Sequence, residues 1–376
     1  MSLSADHRLA AARCSSCPKM CRGVCPTLEV TRNERHQPWG HAHEVMGAVR
    51  SAETGGAGFA SASLAEAAYA CATCGACTVP CEVEGVETPT LAWAVRAAVW
   101  EAGAAPEVAR RAVAEATAGR VLVSEDPPRW EEPSASSSRP DGVEAGAEWL
   151  LLAGCGVLGR RPGSAEAAAL ALSEAGVSAT RPGRHVCCGA VARDLGDAEA
   201  ARAGADAVVA QVRSLGLTRI AVQSPSCAHH LAAALDGSQV EVRTLAEVLA
   251  SAPVDAAEPG SRGSVAYHDA CFLVRHLAVA DQPRTLLARA GYTVSSLGAP
   301  ATTRCGGRGG GLELTNPEIA DGYLRLLAGQ VAASGLGAVV TACAPCAAAL
   351  ATVMPPGIDV LELAEALAGE AGGGGR

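Results

Sequence analysis

Apolar positions follow different patterns in the first third of the chain and in the remainder. The first third has Ala-rich stretches bounded by Gly, Pro or Ser, which predict helices near 43–51 and over 62–70, 89–101 and 107–117. Further on, short apolar runs alternate with helix-like segments. They predict strands at 148–153, 220–223, 265–268 and 338–341, with helices at 164–175, from residue 229 and at 284–290. This alternation predicts a small α/β layer with parallel strands in each half of the second part.

A stretch rich in Pro, Ser and Glu separates the two parts and reads as an exposed linker. We therefore expect an α+β multidomain protein: a mostly α-helical, ferredoxin-like domain with two 4Fe–4S motifs, followed by two duplicated small α/β units. The expected boundaries are 1–122 for the helical domain, 123–147 for the linker, 148–258 and 259–368 for the two units, and 369–376 for a flexible tail.

Composition narrows the possible functions. The net charge is −9 and Lys19 is the only lysine, so no basic surface for nucleic acid is expected. Residues 1–13 have no apolar h-region and no cleavage site, so we expect no signal segment, and no apolar run is long enough for a transmembrane helix. Sixteen cysteines without an export signal favour metal or redox chemistry over disulfides. We expect a cytoplasmic location, or a peripheral one at the inner face of the membrane through a partner.

Half of the cysteines form two runs in the helical part. They are Cys14-x2-Cys17-x3-Cys21-x3-Cys25 and Cys71-x2-Cys74-x2-Cys77-x3-Cys81. The second run has the spacing of bacterial ferredoxins, in which the fourth cysteine ligates the other cluster. By that rule one 4Fe–4S cluster is held by Cys14, Cys17, Cys21 and Cys81, and a second by Cys71, Cys74, Cys77 and Cys25. The x3 gap after Cys17 and the Glu82 that follows Cys81 depart from the usual run, and two structural zinc sites are the alternative.

The other eight cysteines form a duplicated layout. The first copy has Cys155, Cys187, Cys188 and Cys227, and the second has Cys271, Cys305, Cys343 and Cys346. Two members of each copy fall at the carboxyl ends of predicted strands: Cys155 and Cys227 in the first copy, and Cys271 and Cys343 in the second. Because ligands of parallel sheets lie at the carboxyl ends of strands, we expect each half to gather its cysteines at one edge.

This layout, Cys-x31-Cys-Cys-Gly-x34-Ser-x2-Cys and then Cys-x32-Arg-Cys-Gly-x36-Cys-x2-Cys, resembles the duplicated cysteine-rich CCG domain. That domain occurs in heterodisulfide reductase subunits and in iron–sulfur subunits of glycolate oxidase, anaerobic glycerol-3-phosphate dehydrogenase and lactate-utilisation complexes. The element from Tyr267 to Cys271 is similar to the family's Tyr-His-Asp-Pro-Cys.

The resemblance implies an iron–sulfur electron-transfer subunit of a flavin-linked oxidoreductase. Two 4Fe–4S clusters would lie in the N-terminal module, and one or two more in the CCG units. A flavoprotein dehydrogenase partner would oxidise a 2-hydroxy acid such as glycolate or lactate, or glycerol 3-phosphate, and a quinone or another carrier would accept the electrons. No residue of this chain is assigned as catalytic.

Two positions depart from the full five-cysteine motif, because Ser224 and Arg304 stand where the family has cysteine. Four thiolates per unit suffice to hold an ordinary 4Fe–4S cubane. Ser224 could add an oxygen ligand, and the charge of Arg304 could offset the negative charge of a cluster. The alternative function is a heterodisulfide-reductase-like catalytic subunit that acts on a thiol–disulfide substrate at a CCG-bound cluster. The missing cysteines count against it. His41 and His43 could be ligands, but we expect them to be surface or packing residues. The histidines beside the CCG cysteines, His185, His229, His230 and His268, are expected to serve in hydrogen bonding or packing.

Overall fold

The computed structural model describes residues 3–120, 146–182 and 185–369. Most of the predicted linker and of the predicted tail therefore lies outside the described residues. The chain divides into two compact units. The first, unit 1, contains 1–114, 191–201 and 301–327, and the second, unit 2, contains 115–190, 202–300 and 328–376. Within the described ranges, no helix combines the length and the apolar character needed to cross a membrane.

The N-terminal part is helical, as predicted. Its helices are α1 Ala5–Ser15, α2 Pro26–Thr31, α3 Pro38–Glu53, α4 Ala62–Tyr69, α5 Thr88–Glu101 and α6 Glu107–Thr117. Proline at the first or second position starts α2, α3 and α5, where its missing N–H has no helical partner to lose. Gly40 lets α3 lie close to the 3₁₀ turn that precedes it: a Cβ on Gly40 would stand 2.2 Å from the Glu34 carbonyl oxygen.

The remainder repeats a strand–helix pattern twice. The first half contains β1 Trp149–Leu152, α7 Cys155–Arg160, α8 Pro162–Glu174, β2 Ala179–Thr180, α9 Ala190–Leu195, α10 Ala198–Ser214, β3 Arg219–Val222, α11 Pro225–Ala234, β4 Glu241–Thr244 and α12 Leu245–Ser251. The second contains β5 Ser264–His268, α13 Asp281–Arg289, β6 Thr293–Ser296, α14 Leu312–Thr315, α15 Pro317–Ala333, β7 Ala338–Thr341, α16 Ala344–Val353, β8 Asp359–Glu362 and α17 Leu363–Leu367.

Each half builds a four-stranded sheet in which every pairing is parallel, as expected. The strand orders are β2-β1-β3-β4 and β6-β5-β7-β8, so the two halves share one topology. The central strands β1, β3, β5 and β7 are almost wholly buried, which explains their apolar runs. The edge strands lacked such a run and were missed; β6, for instance, is mostly exposed.

One apolar core in unit 2 draws on both halves. It includes Trp149 and Leu172 from the first half and Tyr267, Leu287 and Leu363 from the second. Each sheet therefore buries one face against elements of the other half, which joins the two copies in a single unit.

Candidate metal centres

Four cysteines surround a small cavity in unit 1, here called site I. Cys14 lies in α1, Cys17 follows it, and Cys21 and Cys81 lie in or just after the two 3₁₀ turns Met20–Gly23 and Ala76–Thr78. Burial and then the neighbouring thiols Cys17, Cys21 and Cys81 raise the pKa of Cys14 to about 12. The rest of the lining is nearly all apolar: Pro18, Met20, Val83, Val86 and Thr88, besides Cys77.

A second group in unit 1, here called site II, consists of Cys25, Cys71, Cys74 and Cys77. Cys25 is the N-cap of α2, and the other three lie between α4 and α5. Cys77 interacts electrostatically with Cys74, Cys71 and Cys25, although it also borders the cavity of site I. Burial raises the pKa of Cys25 to about 12 and that of Cys77 well above its usual range. The structure thus brings together the two crosswise sets that the ferredoxin rule predicts.

The chemistry of these groups suits a centre with several positive charges. Buried thiols that repel one another as thiolates keep their protons until cations replace them. In the part of the chain that the structure describes, no three His, Cys, Asp or Glu side chains converge on a single-ion position. Each set of four thiols instead borders a cavity, and a 4Fe–4S cluster bound there would supply reversible one-electron storage.

A repeated turn directs a backbone donor at three of the cysteines. The N–H groups of Lys19, Thr73 and Gly307 each lie 3.3 Å from the Sγ of the cysteine two residues earlier. All three donor residues have positive φ, at 63°, 49° and 76°. These turns place a backbone N–H, with its partial positive charge, against the sulfur of Cys17, Cys71 and Cys305.

Polar side chains line the cavity of site II. They include Thr27, His41, Thr73, Thr88 and Tyr323. The Nε2 atom of His41 is buried and has no hydrogen-bond partner among the described residues. Burial, followed by the nearby charges of Arg96 and His36, lowers the pKa of His41 to about 3. His43 instead lies exposed against the ring of Trp39, with 3.9 Å between ring centroids.

Arg96, on α5, is fully buried beside site II. Its guanidinium donates to the carbonyl oxygens of Ala68 at 2.9 Å, Asp194 at 2.6 Å, Gly310 at 2.7 Å and Cys71 at 2.5 Å. The neighbouring Asp194 carboxylate is bound by Trp93 and Arg193 instead. Arg96 was not predicted from the sequence. The available signal was a charged residue on the buried face of a helix, among Ala92, Val95 and Val99.

The first CCG half gathers its four cysteines within unit 2. Cys155 and Cys187 form one hydrogen-bonded thiol pair, and Cys188 and Cys227 form another. The bond from Cys155 lowers the pKa of Cys187 to about 7, whereas the hydrogen bond to Cys227 and burial raise that of Cys188 well above its usual range. The predicted helix from residue 229 begins earlier, at Pro225. Cys227 therefore lies in the first turn of α11 rather than in a preceding loop.

Ser224 lies beside this group, as the N-cap residue of α11. Its side chain is buried, with Oγ 3.3 Å from Ser226 Oγ. Gly154 has φ +90°, and a Cβ there would come within 2.9 Å of Cys227 Sγ and 3.0 Å of Ser224 Cβ. Only glycine leaves space for both side chains at this point.

The cysteines of the second CCG half are divided between the two units. In unit 2, Cys271 lies shortly after β5, directly before the helical turn Phe272–His276. Cys343 is the N-cap residue of α16, and its Sγ accepts a hydrogen bond from the Cys346 N–H at 3.4 Å. In unit 1, Cys305 is buried, and the preceding Arg304 forms an ion pair of 2.7 Å with Glu29. The positive charge of Arg304 is therefore offset by the carboxylate of Glu29.

The histidines next to the CCG cysteines mostly have packing or hydrogen-bonding partners. His268 Nδ1 lies 3.0 Å from Thr341 Oγ1, and the adjacent Asp269 forms a bidentate pair with Arg284. His229 packs against the rings of Phe272 and His276.

Comparison with known proteins identifies the domains that carry these cysteines. The model of the 4Fe-4S dicluster domain matches residues 10–85, and the model of the cysteine-rich domain matches 149–232 and 265–351. The chain is 27% identical over 290 residues to one subunit of the fumarate reductase (CoM/CoB) of Methanothermobacter marburgensis, which covers 76% of this chain and 57% of that protein. It is 34% identical over 183 residues to the EtfAB:quinone oxidoreductase of Syntrophomonas wolfei, which covers 46% of this chain and 25% of that protein.

The alignments thus span 57% and 25% of the length of these two relatives. The family matches, by contrast, cover all of the cysteine groups described above. The chain therefore belongs to the iron–sulfur proteins in which a 4Fe–4S dicluster domain precedes two CCG cysteine-rich domains.

Proposed function

We propose that this chain is the iron–sulfur electron-transfer subunit of a flavin-linked oxidoreductase complex. The observation that supports it best is the pair of sites I and II, two sets of four clustered cysteines, all buried or half-buried, within one compact unit. Cysteines at these positions would hold the clusters, the surrounding apolar and Ala-rich packing would exclude water, and the backbone donors at Lys19 and Thr73 would stabilise the thiolates.

The partner and substrate are proposed from the family resemblance. A flavoprotein dehydrogenase would oxidise a 2-hydroxy acid such as glycolate or lactate, or glycerol 3-phosphate, and would deliver the electrons to this chain. A quinone is our proposed acceptor, and the name of the Syntrophomonas relative, which includes a quinone, supports that choice. We place the complex in the cytoplasm or at the inner face of the membrane.

Sites I and II would hold their 4Fe–4S clusters through the eight cysteines named above, and the CCG halves would hold one or two more. Ser224 and Arg304 reduce each CCG half to four thiols, and Arg304 is already paired with Glu29. We therefore favour electron storage over disulfide cleavage for these halves.

The test is anaerobic purification of the full chain, followed by iron and sulfide analysis and EPR of the reduced sample. We expect about eight irons or more per chain, and reoxidation of the reduced chain by a water-soluble quinone such as menadione. A colourless chain with no reducible centre would contradict the proposal. Turnover of a heterodisulfide by the isolated chain would instead favour the catalytic alternative.

A further inference from the structure

Sites I and II differ in the charges and donors that surround them. The side chains that line site I beside its cysteines are Pro18, Met20, Val83, Val86 and Thr88, with the thiol of Cys77 at the edge. None of these carries a charge. Site II is lined by two histidines, His36 and His41, and by several hydroxyl groups, and Arg96 is hydrogen bonded to the carbonyl oxygen of one of its cysteines.

Arg96 is a buried cation that has carbonyl partners but no carboxylate partner among the described residues. Its four acceptors are main-chain oxygens, and its exposed fraction is 0%. A guanidinium is a fixed cation, and burying it without a counter-charge is costly. A cluster with four thiolates carries net negative charge, so a cluster at site II would supply the missing counter-charge.

The cations near site I are placed differently. Lys19 and Arg22 both pair with Glu34, at 2.8 and 3.1 Å, and their side chains are 29% and 64% exposed. Solvent screens such charges, and the shared carboxylate offsets them. Arg96 acts from inside the protein, where a charge is screened much less.

His41 supplies a second, independent observation. Its Nε2 is a buried polar atom without a protein partner among the described residues, and the ring lines the cavity of site II. Buried polar atoms in proteins are nearly always hydrogen bonded. A cluster sulfur at site II is the kind of acceptor that an N–H on this atom lacks, and such a bond stabilises the reduced form of a cluster.

We propose that site II has a higher reduction potential than site I, and that Arg96 and His41 are the residues that raise it. This inference rests on the proposed function and adds the direction of electron transfer between the two sites. An electron delivered at site I would move to site II, with one site oxidised as the other is reduced. Neither Arg96 nor His41 is a cluster ligand; Arg96 would act through its charge, and His41 through a hydrogen bond.

The test is an EPR-monitored redox titration of the full, cluster-loaded chain, with iron content measured for every variant. Signals are assigned with Cys17→Ala for site I and Cys74→Ala for site II. We expect the wild-type signal of site II to appear at the higher potential. Arg96→Gln should lower that midpoint potential and leave site I unchanged, and Arg96→Lys, which keeps the charge, should stay close to wild type. The matched control is Arg22→Gln, which should shift neither site.

The His41 variants keep the test decisive if Arg96→Gln fails to hold its cluster. His41→Phe removes the donor and should lower the potential of site II, whereas His41→Gln, which keeps an N–H, should lower it less. The inference is wrong if site I titrates at the higher potential. It is also wrong if Arg96→Gln shifts site II no more than Arg22→Gln does, or if the two His41 variants behave alike. A chain with no reducible cluster would overturn the proposed function itself.

Discussion

Gly307 is a position at which the backbone beside a cysteine leaves little space for a side chain. Its N–H donates to Cys305 Sγ at 3.3 Å, its φ is +76°, and a Cβ there would stand 2.6 Å from the Ala320 carbonyl oxygen. The same hydrogen bond at Cys17 and Cys71 uses Lys19 and Thr73, which accept the strain of a positive φ. Glycine at position 307 is therefore required by space as well as by conformation.

We predict that Gly307→Ala destabilises the protein by roughly 1–3 kcal/mol, because the new methyl group adds a clash to an unfavourable φ. Anaerobic thermal unfolding measures the change. The control is Gly329→Ala, in α15, where nothing lies within 4 Å of the added Cβ. That variant should be stabilised by about 0.5–1 kcal/mol. Equal effects of the two changes would show that the Gly307 geometry is unimportant.

Glu362 is a buried carboxyl group at the end of β8, in unit 2. Its Oε2 accepts hydrogen bonds from Ser164 Oγ at 2.6 Å, Gln223 Nε2 at 3.2 Å and the Ala364 N–H at 2.8 Å. Burial nevertheless raises the pKa of Glu362 from its ordinary value of 4.5 to about 7. Between these two values the folded state holds a proton that the unfolded state has lost.

The proton bound to Glu362 therefore stabilises the folded state fully below about pH 4.5, and this contribution to the free energy of unfolding is lost as the pH rises to about 7. We predict that Glu362→Gln removes this dependence, since a neutral amide oxygen can accept the same bonds. The difference in unfolding free energy between variant and wild type should change by about 2–3 kcal/mol between pH 5 and pH 8. Anaerobic unfolding at both values tests it, with the exposed Glu174→Gln as control. A constant difference would exclude the raised pKa.

At the scale of elements, the duplication extends to how the last helix of each half begins. α12 starts with a capping box formed by Thr244 and Glu247, and α17 starts with one formed by Glu362 and Glu365. In the second half, both acidic side chains also bind residues of the first half. Arg161, at the start of α8, forms a bidentate pair with Glu365 at 2.9 and 2.7 Å. Glu362 and Glu365 thus serve both the N-terminal cap of α17 and the contact between the two halves.

We predict that Arg161→Met costs roughly 3 kcal/mol of stability, because it leaves Glu365 largely buried without its partner. The two side chains are 19% and 10% exposed. The matched control is Arg181→Met, whose pair with Glu166 is 46% and 65% exposed. That change should cost less than about 1 kcal/mol. Similar melting temperatures for the two variants would contradict the assigned importance of the α8–α17 contact.

At the scale of the whole molecule, each N-terminal site needs residues that are far apart in the chain. Site I joins Cys81 to the first cysteine run, and site II joins Cys25 to the second. Unit 1 also includes two segments from the CCG part, which supply Asp194 and Gly310 as acceptors for Arg96.

We predict that Cys25→Ala and Cys71→Ala remove the same cluster, although the two cysteines belong to different runs. Each variant should lose about four irons per chain and the same EPR signal, since a cubane needs four protein ligands. Cys17→Ala should remove the other signal. Loss of one shared signal in Cys17→Ala and Cys25→Ala would mean that each run holds its own cluster.

The sequence by itself determined the cysteine chemistry, the duplication, and the helical and central strand elements, because these depend on local spacing and on apolar runs. The crosswise grouping of the eight N-terminal cysteines was also predictable, since the short loops of a ferredoxin run restrict where its fourth cysteine can point. Only the tertiary structure decided the edge strands, whose exposed positions leave no apolar pattern, and the start of α11 at Pro225. It alone revealed Arg96 and the Arg304–Glu29 pair, because both join residues that no local pattern relates.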